Sequence, residues 1–150
     1  MRPRLFVSVL ALCAAACGQS GEREGAVPQA LELEAITFAD IEREDMFGAG
    51  CSFAPAGGGI AALAIAQSDA GYLKIAGEVV RFTPDTTSDE LPLGARERYA
   101  GSSMTFQLLV RQEEASPSGY ETVNYPGRLI VQDRAATVRY DSAGTVQCGA

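Results

Sequence analysis

The chain of 150 residues carries 19 acidic side chains against 12 Lys and Arg and has no histidine, for a net charge of −7 at pH 7. That balance argues against nucleic acid and anionic lipid headgroups as partners, because both demand a basic surface. The missing histidine removes Ser-His-Asp and Cys-His nucleophile activation, imidazole acid/base work and histidine-based zinc chemistry. The length suits one domain with a real core rather than two of ordinary size.

The N-terminus has the charge order of an export peptide: Arg2 and Arg4, an apolar run over 5–16, and the small residues Ala14, Ala15 and Ala16 just before Cys17. The run is too short for a membrane span, which takes about 20 residues as a helix. Ala14-Ala15-Ala16-Cys17 resembles the lipobox of bacterial lipoproteins, usually Leu-(Ala/Ser)-(Gly/Ala)-Cys, with Ala14 where Leu is commonest and Leu12 two residues early. The resemblance implies cleavage after a signal peptide of residues 1–16, acylation of Cys17 and attachment to the membrane through the acyl chains. Gly18 stands where an Asp would imply retention in the inner membrane, so the implied station is the outer membrane facing the periplasm. The alternative is a plain secretory peptide cut nearby, with Cys17 left as a free thiol. Cleavage removes two arginines and no acid, so the remainder is more acidic than the whole chain.

Residues 17–30 read as a lipidated tether, since Gly, Ser, Gln, Glu and Pro dominate and little apolar surface is available to offset ordering entropy. A single β-rich domain is expected over 31–150. Leu31, Leu33 and Ala35 alternate with Glu32 and Glu34, the period of a strand. A short helix follows over 38–45, with Thr37 as N-cap and Asp40 completing a capping box. Residues 60–66 are continuously apolar and bounded by glycines, which favours a buried strand although alanine is a poor strand former. Leu73-Lys74-Ile75 and 78–82 form a hairpin across Ala76-Gly77, placing Leu73 opposite Val80 and turning Leu73, Val80 and Phe82 to one face. Met104, Phe106, Leu108 and Val110 alternate with Thr105, Gln107, Leu109 and Arg111 in the most regular strand of the chain. Residues 129–132 and 137–140 read as a hairpin across Asp133-Arg134-Ala135. A turn over 141–144 then leads into a last strand over 145–148.

Cys13 leaves with the export peptide and Cys17 takes the lipid, so Cys51 and Cys148 remain as a pair. An oxidising compartment and their places at the two ends of the β-rich segment predict a disulfide between them. The expected fold is all-β: a small antiparallel barrel or sandwich of about eight strands, tied by that one bridge.

No constellation points to catalysis, and no enzyme activity, metal or cofactor is expected. Lys74 is the only lysine, and a Ser-Lys dyad resting on it is outweighed by a solvated strand lysine. Glu113-Glu114 and Asp89-Glu90 mark solvent-facing loop ends rather than a glycosidase pair. The oxygens of 85–90 are spaced faintly like a calcium loop, but Glu90 stands where an EF-hand needs Gly. Gly57-Gly58-Gly59 lacks the Lys-(Ser/Thr) of a phosphate-binding loop.

The polar stretch 83–103 is long for an internal loop and concentrates Arg96, Arg98 and Tyr99, residue types that anchor interfaces. It is a candidate partner-binding loop, set against an ordinary solvated loop with internal Arg-Glu pairs. Residues 91–99, the strand after them and Glu114-Ala115 resemble the membrane-bound lysozyme-inhibitor lipoproteins. These are β-barrels with a disulfide from an early strand to the last and a Ser-Gly-x-x-Tyr motif on a loop. Here Leu93 precedes Gly94 in place of the motif serine, and Tyr99 comes two residues late, so Tyr99 is the one site residue carried over. The resulting expectation is a lipid-anchored binding or structural module of the cell envelope, meeting an envelope or secreted protein. The alternative is an inhibitor of a secreted hydrolase such as lysozyme.

Overall fold

The computed structural model describes residues 29–150. The export peptide, Cys17 and the tether up to residue 28 lie outside the described residues. Nine strands follow one short helix, α1 (Phe38–Arg43): β1 (Gly50–Pro55), β2 (Ala64–Gln67), β3 (Gly71–Ile75), β4 (Glu78–Pro84), β5 (Arg98–Ala100), β6 (Met104–Val110), β7 (Ser116–Pro117), β8 (Thr122–Asp133) and β9 (Val138–Gly149). They lie in the order β6-β5-β4-β3-β2-β1-β9-β8-β7, and β6 also pairs with β8. That pairing closes eight antiparallel strands into a barrel and leaves β7 as a short flap on the first residues of β8. Closure removes the open edges that would invite pairing with another chain.

Alternation of apolar residues builds the interior. Phe53, Leu73, Phe82, Phe106, Leu108 and Leu129 are fully or almost fully buried, and the rings of Phe82 and Phe106 meet edge to face at 5.1 Å. The hairpin of β3 and β4 has the expected register, Leu73 opposite Val80 and Ile75 opposite Glu78. Its two-residue loop places Ala76 and Gly77 at φ of 50° and 81°, the left-handed pair of a type I′ turn. In β6 the buried set is Phe106 and Leu108, with Met104 and Val110 packed at the margins of the core.

Four local expectations change. The alternating segment at 31–35 makes only an isolated bridge, Glu34 to Lys74. Leu31 donates to the carbonyl of Arg139, Glu34 to that of Lys74 and Ile36 to that of Ala62. The segment therefore crosses the mouth of the barrel from wall to wall, and Leu31 and Leu33 still turn inward onto the core. The apolar run 60–66 becomes a strand only from Ala64, and Ile60 is fully exposed. Strands β8 and β9 are each twelve residues long, so 141–144 is no turn. Arg128 clamps Asp141 across the ladder, and Gly144 leaves room for the Ala54 carbonyl and the Phe53 ring of β1. Finally, 83–103 is not one loop, because β5 is a stave of the barrel inside it.

A second, smaller core lies outside the barrel wall. Ile65, Tyr72 and Val79 face outward from β2, β3 and β4, and Ile36, Ile41 and Met46 of the α1 region cover them. The helix carries the expected Thr37 capping box. Asp40 is buried, accepts bonds from the Thr37 N–H (2.8 Å) and hydroxyl (2.7 Å), and pairs with Lys74 Nζ at 2.8 Å. Lys74 is thus the clamp between helix and barrel, not a solvated lysine. The Lys74 ammonium first, then the Thr37 donors, hold the Asp40 carboxyl well below the usual carboxylate range.

A folded-state pKa below the unfolded one stabilises above the unfolded value and is lost as pH falls through and below it. Wild type is therefore expected to lose stability below about pH 4. Asp40→Asn, which leaves Lys74 covered without its counter-charge, is expected to be less stable at pH 7, and the gap should narrow toward pH 2. Melting temperatures of both proteins across that range check this, and a constant gap refutes it.

Candidate functional site

Cys51 and Cys148 stand directly opposite each other on β1 and β9, with Cα atoms 4.0 Å apart, and form the disulfide. The first and last strands of the barrel are neighbours, so the bridge staples the seam where the ring closes instead of spanning a sheet. The Cys51 sulfur lies 3.7 Å from the carbonyl of Pro92. Pro92 belongs to a tight turn, Pro92–Gly94, in which Leu93 and Gly94 both have positive φ. Leu91 and Ala95 flank this turn and are buried, which plugs one end of the barrel.

Tyr99 corrects the reading of 83–103 as a partner-binding loop. It is fully buried on β5, stacked on Phe106 at 4.8 Å between ring centroids. Its hydroxyl donates to the carbonyl of Gln67 (2.7 Å) and accepts from the N–H of Arg96 (2.8 Å). Burial pushes the phenol pKa up, and the Arg96 N–H offsets part of that. With the ring enclosed and both sides of the hydroxyl engaged, Tyr99 has nothing left to offer a partner. The physical reason is the period of two: Tyr99 alternates with outward-facing Arg98 and Ala100, so its side chain points into the barrel.

Arg96 and Arg98 remain nearer the surface but are spent within the loop. Arg96 pairs with Glu90 at 3.2 Å and donates to the Ser88 carbonyl, and Arg98 pairs with Asp85 at 3.7 Å. Asp85 also accepts from the Thr87 hydroxyl and N–H, which hold its carboxyl below the usual range. Those oxygens build a turn, and among the described residues no cluster of three metal-ligating side chains exists. Glu113 and Glu114 are exposed, with Glu114 held by Arg111.

The exposed apolar residues tell more than the charged ones. Phe38 and Phe47 are well exposed (66% and 58%) and pack edge to face at 6.3 Å. They flank a groove floored by Gly50, Gln67 and Gly149, the ends of β1, β2 and β9. The Gln67 amide is buried and donates to the Met46 carbonyl, pinning the α1–β1 connection to that rim. Tyr120, fully exposed, sits two residues before Thr122, which pairs with Gly149 at the same rim. Periodicity could not find these residues, since each lies in a turn or at a helix end. The available signal was an aromatic side chain within a polar turn, as in Ser118-Gly119-Tyr120.

The chain was compared with protein-family models, curated proteins and solved structures, and none of them matches it.

Proposed function

We propose that this protein is a lipid-anchored module of the cell envelope that works by binding or scaffolding through its outer surface, without chemistry of its own. The supporting observation is the solid barrel. Phe53, Phe82, Tyr99 and Phe106 fill its interior, in contrast to barrels that hold a ligand in their mouths. Contact with a partner then falls to the outside, where the Phe38–Phe47 pair and Tyr120 are the large exposed aromatics among the described residues. A disulfide at the seam fits an oxidising compartment such as the periplasm. The export peptide and Cys17 account for the anchor, on the lipoprotein resemblance.

The test is the chemical state of Cys17. Mass spectrometry of the N-terminal peptide is expected to find acylated Cys17, and the protein to sediment with outer membranes. Cys17→Ser is expected to block lipidation and leave little or no protein acylated at the membrane. An unmodified N-terminus elsewhere overturns the anchor.

A second reading, inhibition of a secreted hydrolase such as lysozyme, draws support from the β1–β9 bridge, since a disulfide from an early strand to the last is the cysteine layout of the inhibitor lipoproteins it resembles. The residue carried over from that resemblance, Tyr99, lies in the core, so inhibition would have to use other side chains. Lysis rates with and without the purified chain separate the two readings.

A further inference from the structure

The two ends of the barrel differ in net charge. The described chain enters at one end, where Leu31 bonds to Arg139 near the start of β9. The connections at that near end, 56–63, 76–77, 101–103 and 134–137, contain no acidic residue and one basic residue, Arg134, and the acids of the segment crossing this mouth are Glu32 and Glu34, near Arg139. The opposite end is built from 45–49, 68–70, 85–97 and 111–121, which together carry nine carboxylates. Arg81, Arg96, Arg98 and Arg111 pair with Asp69, Glu90, Asp85 and Glu114, and Asp45, Asp89, Glu97, Glu113 and Glu121 remain in excess. β9 links the ends, and its twelve residues extend roughly 40 Å along the strand.

Four of the large exposed apolar side chains stand at this acidic far end: Phe38 and Phe47 beside the groove, Tyr120 on the 111–121 arm, and Leu93 on the plug turn. Every residue of the arm from Arg111 to Glu121 is exposed. Leu93 is 46% exposed and held at φ 62°, a conformation that disfavours a bulky side chain. The turn bonds of Leu91 to Ala95 and Ala95 to Pro92 keep it there. Exposed aromatics inside a charged rim have the anatomy of an interface core.

Charge selects the occupant. A second copy docking by this face would set carboxylates against carboxylates, and an anionic membrane surface or a nucleic acid would be repelled. We infer that the far end of the barrel is the docking surface for a cationic protein, with Phe38, Phe47, Leu93 and Tyr120 as apolar anchors and the surrounding carboxylates steering its approach. This rests on the binding-module reading above. Because the described chain begins at the near end, an anchor at Cys17 would leave the far end free for a partner.

Site-specific photo-crosslinking in the producing cell tests it on the full chain. Benzoylphenylalanine is placed at Phe47 or Tyr120 on the far end, and at Ile60 or Val138 on the near end, all four exposed positions. The expected result is one protein adduct shared by Phe47 and Tyr120, absent at Ile60 and Val138, whose partner has a pI above about 9. Binding of that purified partner is expected to weaken at least about fivefold for Phe47→Ser and for Tyr120→Ser. It should weaken further as salt rises from about 50 to about 300 mM, with melting temperatures unchanged.

A self-adduct, a lipid adduct or a neutral or acidic partner at the far end overturns the inference. So does a cationic partner whose affinity ignores both substitutions and salt. Adducts at the near end alone overturn it while leaving the binding-module reading intact, and no adduct at any of the four positions overturns both.

Discussion

Tyr99→Ala is expected to cost about 4 kcal/mol or more of unfolding free energy, enough to leave little of a marginal domain's stability. The substitution empties the stack with Phe106 and opens a cavity between β5 and β6. It also strands two backbone groups, the Gln67 carbonyl and the Arg96 N–H, each of which loses its hydroxyl partner inside the protein. Tyr99→Phe keeps the ring and loses only those bonds, so about 1–3 kcal/mol is expected. Gly71 sets how closely the cluster packs: a Cβ added there would come within 2.8 Å of the rings of Phe106 and Tyr99. Urea unfolding followed by circular dichroism measures the series, in the expected order wild type, Tyr99→Phe, Tyr99→Ala. A Tyr99→Ala protein as stable as wild type would contradict the burial and return Tyr99 to the surface.

Removing the seam bridge is the second large effect. A Cys51→Ala/Cys148→Ala double variant avoids an unpaired thiol and is expected to lose about 2–5 kcal/mol. The bridge closes a separation of 97 residues, which is nearly the whole barrel, and in the chain-entropy model a loop of about 100 residues corresponds to roughly 4.7 kcal/mol. Without it, the first and last staves meet only through the β1–β9 ladder from Gly50 opposite Gly149 to Pro55 opposite Gly144. Equilibrium unfolding under oxidising conditions checks the loss. A change below about 1 kcal/mol would mean that the unfolded chain keeps its two ends together without the bridge.

Much of this architecture is legible in the order of the residues. The type I′ turn at Ala76-Gly77 and the alternation through β3, β4 and β6 depend on a period of two and on local turn chemistry, and both operate between neighbours in the chain. The Thr37 capping box is likewise contained within four residues. The absence of histidine and the pairing of Cys51 with Cys148 needed only composition and placement.

What tertiary structure decided lies between distant segments. Composition marked 83–103 as polar and loop-like, yet closure of the barrel takes Arg98–Ala100 as a stave and turns Tyr99 into the core. A strand of three residues carries too little periodicity to be read against the loop around it. The segment at 31–36 has the alternation of a strand, but its hydrogen bonds go to β9, to β3 and to the connection before β2, a destination fixed only once the barrel exists. Lys74 and Asp40 are 34 residues apart and become a part-buried pair only when α1 docks on the outer face of β3. The gathering of Phe38, Phe47, Leu93 and Tyr120 at one acidic end has the same origin. Local pattern assigns each side chain to a turn or a helix end, and only the closed barrel, which sends alternate connections to opposite ends, determines which of them share a surface.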